Sequence, residues 1–411
     1  SPDRLLIIIN LRKNIIIPDH YKPEDDLIYS AKKQTVLKIA VNTRLLLNGK
    51  LEGIGWFTYE NLKRITMSHP EHEFFFIFDR PFHQEFIFGS NVTPVVIGPP
   101  ARHPLLYFIW FEISVRFILR KIRADLFLSP DGYLSLCSGI PSVAVFHDLN
   151  FEHYPEDLPF AERFYYRTFF RKYAGKASRI ATVSEFSKSD IIQQYGTNPG
   201  KIDVVYNGAN EKYAPVDEAT QETTRTRFSF GKPYFFFVGA LHPRKNLVNL
   251  FRAFDIFRES DAEDTKLLVA GARKWWTGEI ADVYDKMKFR DDVIFAGRLD
   301  TDDMQKVMGS ALALTYVSYF EGFGIPIVEA FRCGTPVITS KVTSMPEIAG
   351  EAALLVDPFN PDDIAQAMHS ISTDEALRAR LINAGNERAT DFTWEKSAGR
   401  LWNTIEKTLN I

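Results

Sequence analysis

Short runs of β-branched and aromatic residues recur along the chain, and helical patterns lie between most of them. The first series of predicted strands is Leu37–Asn42, Phe74–Phe78, Val92–Ile97, Asp125–Leu128, Val143–Phe146, Ile180–Val183 and Ile202–Tyr206. The second series is Tyr234–Val238, Lys266–Ala270, Val293–Phe295, Ala311–Tyr316, Val337–Thr339 and Ala353–Val356. This alternation predicts an α/β protein with mostly parallel sheets covered by helices.

A chain of 411 residues is too long for one hydrophobic core, so we expect two domains. A polar stretch rich in Thr and Glu separates the two series of strands and is predicted to be the linker. The predicted parts are an extension at 1–35, a first domain at 36–210, a linker at 211–232, a second domain at 233–391 and a final helix at 392–411. The extension is apolar and then charged, and we expect it to be loosely ordered.

Composition narrows the class of protein. The formal net charge of −3 gives no general attraction to nucleic acid, and two cysteines provide neither a disulfide framework nor zinc-ligand spacing. No apolar run reaches the roughly 18–20 residues of a membrane span, so we expect a cytoplasmic protein. The helical patterns at 105–123 and 160–180 are rich in aromatic and basic residues. They fit either peripheral contact with the inner membrane surface or ordinary helices with a solvated basic face.

The most informative stretch follows the predicted strand that ends at Tyr316. Glu321 and Glu329 lie eight positions apart, and Gly322, Phe323 and Gly324 stand between them, before a helix start with Pro326 in its first turn. A glycine loop at a helix N-terminus presents free N–H groups to a phosphate. We therefore predict a phosphate or diphosphate site, with the two carboxylates binding hydroxyl groups on either side.

Two cations come early in the second series. Gly239 ends a predicted strand, and Arg244 and Lys245 precede the next helix. Alone, the pair is more typical of a solvated basic turn. In the same domain as the glycine loop it indicates a diphosphate site, because Arg offers a bidentate fork and Lys a point charge.

The first series contains two weaker signals. Gly53 and Gly55 lie between a strand and a helix, which fits either a phosphate loop or a tight turn. His147 and Asp148 follow a predicted strand, where a lone histidine is as often structural as functional. Asp300 and Asp302 match an Asp-x-Asp metal pattern, but we interpret them with Thr301 as a helix cap.

Taken together, these stretches resemble the retaining glycosyltransferases of family 4, also called glycosyltransferase group 1. The Glu321–Glu329 spacing matches the E-x7-E motif of that family. Matching stretches in the family's order are Gly53-Ile-Gly55, His147-Asp148, Val183-Ser-Glu-Phe-Ser187, Val205-Tyr-Asn-Gly208, Gly239 with Pro243-Arg-Lys-Asn246, and Phe392-Thr-Trp394. The Pro-Arg-Lys-Asn variant looks most like bacterial mannosyltransferases of O-antigen and capsule pathways.

The resemblance implies a GT-B fold, in which two Rossmann-like domains face each other across a cleft. It implies that Glu321 binds the donor sugar and Glu329 the ribose, while His147 contacts the sugar near the reaction centre. The diphosphate would meet the remaining matched positions, namely Gly239, Arg244, Lys245, Gly322, Phe323 and Gly324. Gly53 and Gly55, also counted as donor-binding positions, would let the backbone approach the phosphate or the acceptor. Asp148 would complete the donor-binding positions, and the final helix would cross back to the first domain.

The expected function is retaining transfer of a hexose, with mannose favoured, from a nucleoside-diphosphate sugar such as GDP-mannose to a glycan or lipid-linked acceptor. Neither a metal nor a cofactor is expected. The residues indicate no nucleophile for the retaining reaction. The alternatives are a GT-B epimerase or phosphorylase, a non-catalytic carbohydrate-binding protein, and a nicotinamide-dependent oxidoreductase, whose complete glycine fingerprint is missing.

Overall fold

The computed structural model of the protein describes residues 36–261, 263–272, 276 and 278–411. The predicted extension at 1–35 lies outside the described residues. The described chain divides into two compact units. The first unit contains residues 36–183, Ser187–Val205 and Ser397–Ile411, and the second contains Ser184–Phe186 and Tyr206–Lys396. Residues 211–232, predicted as a linker, fall within the second unit and include a helix.

The first unit is built on a parallel sheet of seven strands in the order β3-β2-β1-β4-β5-β6-β7. Its strands are β1 Lys38–Asn42, β2 Glu73–Phe78, β3 Val92–Val96, β4 Leu126–Ser129, β5 Ser142–Phe146, β6 Arg179–Thr182 and β7 Ile202–Val204. Most of them are rich in buried apolar residues, as expected for a sheet covered by helices on both faces, whereas the edge strands β3 and β7 are more polar and less buried. For example, β2 carries four phenylalanines, all of them buried.

The helices of the first unit follow the strands in alternation. They are α1 Gly53–Ser68, α2 Pro104–Ile109, α3 Arg116–Ile122, α4 Asn150–His153, α5 Phe160–Lys176 and α6 Glu185–Tyr195. A π-helical segment, Trp110–Val115, joins α2 to α3 without a break. The first two residues of α6 belong to the second unit.

The second unit has a parallel sheet of six strands in the order β10-β9-β8-β11-β12-β13. Its strands are β8 Tyr234–Val238, β9 Lys266–Ala270, β10 Val293–Gly297, β11 Ala313–Tyr316, β12 Val337–Ser340 and β13 Leu354–Val356. Its helices are α7 Glu218–Ser229, α8 Leu247–Arg258, α9 Gly278–Asp285, α10 Thr301–Ser310, α11 Ile325–Arg332, α12 Met345–Ala349, α13 Pro361–Thr373 and α14 Glu375–Ala389.

Each sheet order places the first strand of its unit in the middle, with strands added outward on both sides. This doubly wound arrangement puts a switch point beside β1 and beside β8, where ligands of open α/β sheets bind. All thirteen predicted strands are present, with ends that differ by one or two residues. The last helix, α15 Trp394–Leu409, has its residues from Ser397 onward in the first unit. Across the described part of the chain, no helix has the length and hydrophobicity to span a bilayer.

Candidate active site

Two central strands of the second sheet end on glycines that touch. Gly239 follows β8 and Gly271 follows β9, with φ angles of 150° and 154° that favour glycine. A Cβ atom on Gly271 would lie 1.8 Å from the carbonyl oxygen of Gly239, so no side chain fits there. The ends of β8 and β9 therefore pack backbone against backbone. Gly271 was not among the predicted site residues, although it follows β9 as directly as Gly239 follows β8.

The predicted cationic turn after β8 is held rigidly. Pro243–Lys245 form one 3₁₀ turn, and His242 Nδ1 accepts a hydrogen bond of 3.3 Å from the backbone N–H of Arg244. Burial, with Arg244 and Lys245 close by, lowers the pKa of His242 to about 4, so the ring is neutral at pH 7. Asn246 anchors the end of the turn, because its Nδ2 donates to the carbonyl oxygen of Val317 at 2.9 Å.

The same turn brings both cations onto Glu321. Lys245 Nζ lies 2.5 Å from Glu321 Oε1, and Arg244 Nη1 lies 2.8 Å from Oε2. The Tyr316 hydroxyl donates to Oε1 at 2.9 Å. Burial alone would raise the pKa of Glu321, but the two cations outweigh it and lower the pKa to about 2. The carboxylate is ionised at every physiological pH.

This cluster carries two positive charges and one negative charge in a buried setting, since Lys245 and Glu321 are both buried. The surplus positive charge belongs to Arg244, whose side chain is 24% exposed, and a surplus cation beside a buried pair favours an anionic ligand. The three charged residues were predicted from the sequence as neighbours of one ligand, whereas Tyr316 was not. The signal was available, because Tyr316 is the last residue of β11 and precedes Glu321 by five positions.

The glycine loop leads into a helix as the sequence predicts. Gly324 has φ 93° and stands at the N-cap of α11, and Pro326 lies in the first turn. Within the described chain, the backbone N–H groups of Phe323 and Gly324 have no protein acceptor. Phe323 is buried, and buried N–H groups nearly always have a partner, so this loop is suited to an anion.

Glu329 lies on α11, a turn further along the helix from the loop. Burial raises the pKa of Glu329 to about 7, and a hydrogen bond from Tyr213 opposes this rise. Glu329 and Glu321 therefore differ sharply, because only Glu321 has cations beside it. Near neutral pH, Glu329 exists as a mixture of the acid and the carboxylate. Tyr213 was missed by the sequence analysis, since it precedes the helix by more than a hundred positions.

The predicted residues of the first unit form a second group. His147 follows β5, and its Nε2 lies 2.8 Å from the carbonyl oxygen of Pro130, so Nε2 donates and Nδ1 is left as an acceptor. Burial lowers the pKa of His147, which favours the neutral ring. The ring packs edge-on against Phe57 of α1, with centroids 5.0 Å apart. His147 is thus tied to the helix that begins at Gly53.

The two glycines of α1 differ in what surrounds them. A Cβ atom on Gly55 would lie 3.1 Å from the carbonyl oxygen of Leu45, whereas Gly53 has open space around it. Gly55 therefore lets the helix start pack closely on the preceding loop. Asp148 has a local contact, because its Oδ1 accepts a hydrogen bond of 3.0 Å from the Asn150 N–H.

Beneath this group lies a buried ion pair that the sequence analysis missed. Arg44 Nε donates to Asp131 Oδ2 at 2.6 Å, and Asn42 Nδ2 donates to Asp131 Oδ1 at 2.7 Å. Burial opposes the charge of Arg44, but Asp131 and nearby tyrosines keep its pKa above the ordinary value. Asp131 adjoins Pro130, whose carbonyl oxygen accepts the His147 bond. The pair therefore fixes the loop that orients His147.

The Asp-x-Asp stretch forms a helix cap. Asp300 Oδ1 accepts a hydrogen bond of 2.8 Å from the Asp303 N–H, and α10 begins at Thr301. The predicted cap is present, although Asp300 rather than Thr301 supplies the capping side chain. This assignment accounts for the motif without a bound cation.

A concave surface that encloses a volume of about 680 Å³ lies beside the β1–β3 half of the first sheet. Its lining comes from loops after β1, β2 and β3 and comprises Leu46, Leu47, Asn48, Lys50, Arg80, Pro81, Phe82, His83 and Arg102. Arg80 is held by Asp79, with Nε to Oδ1 at 2.6 Å. The remaining cations, Lys50 and Arg102, are exposed. This surface suits an anionic group on a ligand.

Two doubly wound units, with a cationic turn, a glycine loop and a carboxylate in the second of them, are the arrangement expected of a glycosyltransferase of the GT-B type. The family described as "Glycosyltransferase Family 4" matches residues 53–213, and "Glycosyl transferases group 1" matches residues 220–388. The chain belongs to this family of glycosyltransferases, which confirms the resemblance drawn from the motifs.

Individual relatives agree with this assignment. O-antigen chain mannosyltransferase B of Escherichia coli is 26% identical over 356 residues, which cover 84% of this chain and 93% of that protein. O-antigen chain mannosyltransferase RfbU of Salmonella typhimurium is 27% identical, covering 69% of this chain and 74% of that protein. The structure of Anabaena Alr3699/HepE in complex with UDP-glucose superposes with a TM-score of 0.71 at 18% identity, covering 90% and 100% of the two chains. This last similarity confirms the GT-B fold.

Proposed function

We propose that the protein transfers a hexose, with retention of configuration, from a nucleoside-diphosphate sugar to a glycan or lipid-linked acceptor. The observation that carries this proposal is the buried cluster of Arg244, Lys245 and Glu321, which combines a surplus cation with an ionised carboxylate. The cations suit a diphosphate and the carboxylate suits sugar hydroxyls. Few other ligands need both at one point.

The donor would lie along the edge of the second sheet. Arg244, Lys245 and the N–H groups of Phe323 and Gly324 would bind the diphosphate. Glu321 would bind hydroxyls of the transferred sugar, and the bare backbone at Gly239 would allow the close approach. Further along α11, Glu329 would accept hydrogen bonds from the ribose. His147 would contact the transferred sugar through Nδ1, which the Pro130 bond leaves as an acceptor.

The main catalytic contribution would be stabilisation of the leaving diphosphate. As the glycosidic bond breaks, negative charge grows on the phosphate, and each preorganised donor can contribute roughly 10²–10³ in rate. Arg244 and Lys245 would supply this stabilisation, so the proposal requires neither metal nor cofactor. We assign Glu321 to the binding of sugar hydroxyls and give it no nucleophilic role. We assign acceptor deprotonation to the donor phosphate, which would keep attack on the same face.

Mannose, and GDP-mannose as the donor, are favoured because two relatives at modest identity are O-antigen mannosyltransferases. The acceptor would carry an anionic group, such as the diphosphate of a lipid-linked sugar. Lys50, Arg80 and Arg102 support this choice, because they line one concave surface where ligands of such sheets bind. Work on a lipid-linked acceptor would place the protein in the cytoplasm, at the inner face of the membrane.

The test begins with thermal shift against GDP-mannose, UDP-glucose and UDP-GlcNAc, because a bound donor raises the melting temperature by an amount set by its affinity. The stabilising donor is then offered with glycan and lipid-linked acceptors, with and without EDTA. NMR of the product gives the anomeric configuration. We expect an α-linked product from an α-linked donor and the same rate in EDTA. A β-linked product, or no stabilisation by any sugar nucleotide, would contradict the proposal.

A further inference from the structure

Large hydrophobic side chains are concentrated on two helical surfaces of the first unit. Leu105, Phe108, Ile113 and Phe117, on the run from α2 to α3, are 62%, 43%, 49% and 55% exposed. On α5, Phe160 and Phe164 are 74% and 63% exposed. These six are nearly half of the exposed large hydrophobic residues in the described chain. A concentration of this kind marks an interaction surface, whereas scattered single residues would not.

The two surfaces belong to neighbouring helices. The rings of Phe108 and Phe169 have centroids 6.1 Å apart, and those of Tyr107 and Tyr165 are 5.6 Å apart. Both pairs join α2 to α5. We refer to the exposed hydrophobic residues of α2, α3 and α5, with the basic residues beside them, as the aromatic-basic face.

The π-helical segment aligns this face. A π turn contains about one residue more than an α turn, so it rotates the following residues relative to the preceding ones. Leu105, Phe108, Ile113 and Phe117 all stay exposed along this continuous helical run, and we treat them as one hydrophobic stripe. Glu112 is turned away, because its carboxylate accepts hydrogen bonds from the backbone N–H groups of Leu136 and Cys137 at 2.7 and 3.3 Å. The stripe is thereby kept free of this acid.

Positive charge surrounds the stripe although the chain as a whole has a net charge of −3. The segments 104–123 and 160–176 contain nine Lys and Arg residues and two Glu residues. The basic residues are Arg116, Arg120, Lys121, Arg123, Arg163, Arg167, Arg171, Lys172 and Lys176. The acids are Glu112 and Glu162, and Glu156 and Asp157 precede α5. The balance on this face is strongly basic.

Three arginines form a row on α5 next to the exposed phenylalanines. Arg163, Arg167 and Arg171 line a cavity of about 520 Å³ together with Phe160 and Phe164. Glu152 also lines this cavity and lies 3.3 Å from Arg167 Nε. Three arginines against one acid leave a surplus of positive charge in the cavity. A lipid phosphate would meet these arginines while the phenylalanine rings meet the acyl chains.

We propose that the first unit binds an anionic lipid bilayer through the aromatic-basic face. A second copy of the chain is a poorer occupant, because two such faces would bring like charges together. A neutral bilayer would use the phenylalanines but not the arginines. Binding through this face would bring the first unit to anionic lipid, where a lipid-linked acceptor would be found. The lipid binding itself does not depend on transfer activity.

The test is co-sedimentation of the full chain with vesicles of phosphatidylcholine alone or mixed with phosphatidylglycerol. We expect binding to the mixed vesicles that weakens as salt is raised. The double variant Phe160→Ser/Phe164→Ser should bind at least about 30-fold more weakly, because two inserted rings are lost. Arg163→Gln/Arg171→Gln should lose a similar factor on the anionic vesicles only.

Matched controls come from the second unit. Phe230→Ser/Phe359→Ser removes two phenylalanines that are 79% and 61% exposed, and Arg252→Gln/Arg380→Gln removes two exposed arginines. Both controls should bind like the unmodified protein. Equal loss in controls and test variants, no binding to anionic vesicles, or a dimer in light scattering that the test variants abolish would each overturn the proposal. Thermal shift with sugar nucleotides, run on the same samples, reports separately on the proposed function.

Discussion

Replacing Glu321 with glutamine should separate the stability of the second unit from its chemistry. Glutamine keeps the size of the side chain and its capacity to accept hydrogen bonds, but it removes the negative charge. The pKa of Glu321 is lowered from 4.5 to about 2, so the carboxylate stabilises the fold above pH 4.5 and loses this effect as pH falls toward 2. At pH 7 the full contribution is present.

The lowered pKa corresponds to roughly 3 kcal/mol. Breaking a buried ion pair by removing one partner costs a similar amount, about 3–5 kcal/mol, because the other charge is left buried. We therefore expect Glu321→Gln to lower the melting temperature of the second unit by roughly 6–12 °C. The uncompensated cations should then bind a nucleoside diphosphate as tightly as before, or more tightly. Transfer should fall at least about 100-fold, because the sugar loses its anionic acceptor.

The assay combines thermal melting, calorimetric titration with GDP and UDP, and turnover with the stabilising donor. Asp261→Asn is a matched control, since Asp261 is a buried partner of Arg258 at 2.8 Å in the same unit and takes no part in the site. It should lower stability without changing nucleotide affinity or turnover per folded molecule. Unchanged melting and turnover in Glu321→Gln would refute the reasoning. Parallel loss of nucleotide binding and turnover would reduce Glu321 to a structural role.

Three further outcomes are expected. Because the pKa of Glu329 is raised to about 7, donor affinity measured by calorimetry should weaken as pH falls below 7, and Glu329→Gln should abolish that dependence. The raised pKa also means that protonated Glu329 stabilises the unliganded fold. This stabilisation is fully present below pH 4.5 and is lost as pH rises through 7. Gly271→Ala should weaken donor binding at least about tenfold by displacing the Gly239 backbone, whereas Gly278→Ala, in open space, should not. Lys50→Ala/Arg102→Ala should raise KM for a diphosphate-linked acceptor about tenfold and leave donor affinity unchanged; equal KM values would exclude this surface.

The fold was predictable because its signals are local. Most strands are short runs rich in apolar residues, as expected for sheets buried on both faces, and Gly or Pro residues mark many of the boundaries. Helix α7 was assigned to a linker because its sequence is almost entirely polar. That pattern arises because only two of its residues, Thr224 and Ser229, are buried, so hydrophobic periodicity gave no signal.

The residues of the charged cluster could be predicted from the sequence because they lie in short motifs. Glu321 stood out through its spacing from Glu329 around the glycine loop, and Arg244 and Lys245 became informative because they lie in the same domain as that loop. Tyr316 and Gly271 were missed because an aromatic or a glycine at a strand end is common. Arg44 and Asp131 are eighty-seven positions apart, and only the parallel pairing of β1 with β4 brings them together. Such contacts depend on strand order, which composition and spacing do not encode.

The ion pairs of Glu321 in the absence of a donor indicate how donor binding would prepare the site for the sugar. With no donor, the Glu321 carboxylate is the principal anion available to Arg244 and Lys245 in the cluster, and it holds both cations at 2.8 Å or less. A diphosphate carries more negative charge than one carboxylate and would draw the cations toward itself. Glu321 would then be released to accept hydroxyls of the sugar. On this account, donor binding itself frees the carboxylate that positions the sugar. A nucleoside diphosphate without a sugar should therefore loosen the ion pairs of Glu321 with Arg244 and Lys245. Glu321→Gln should keep diphosphate binding and lose only the positioning of the sugar.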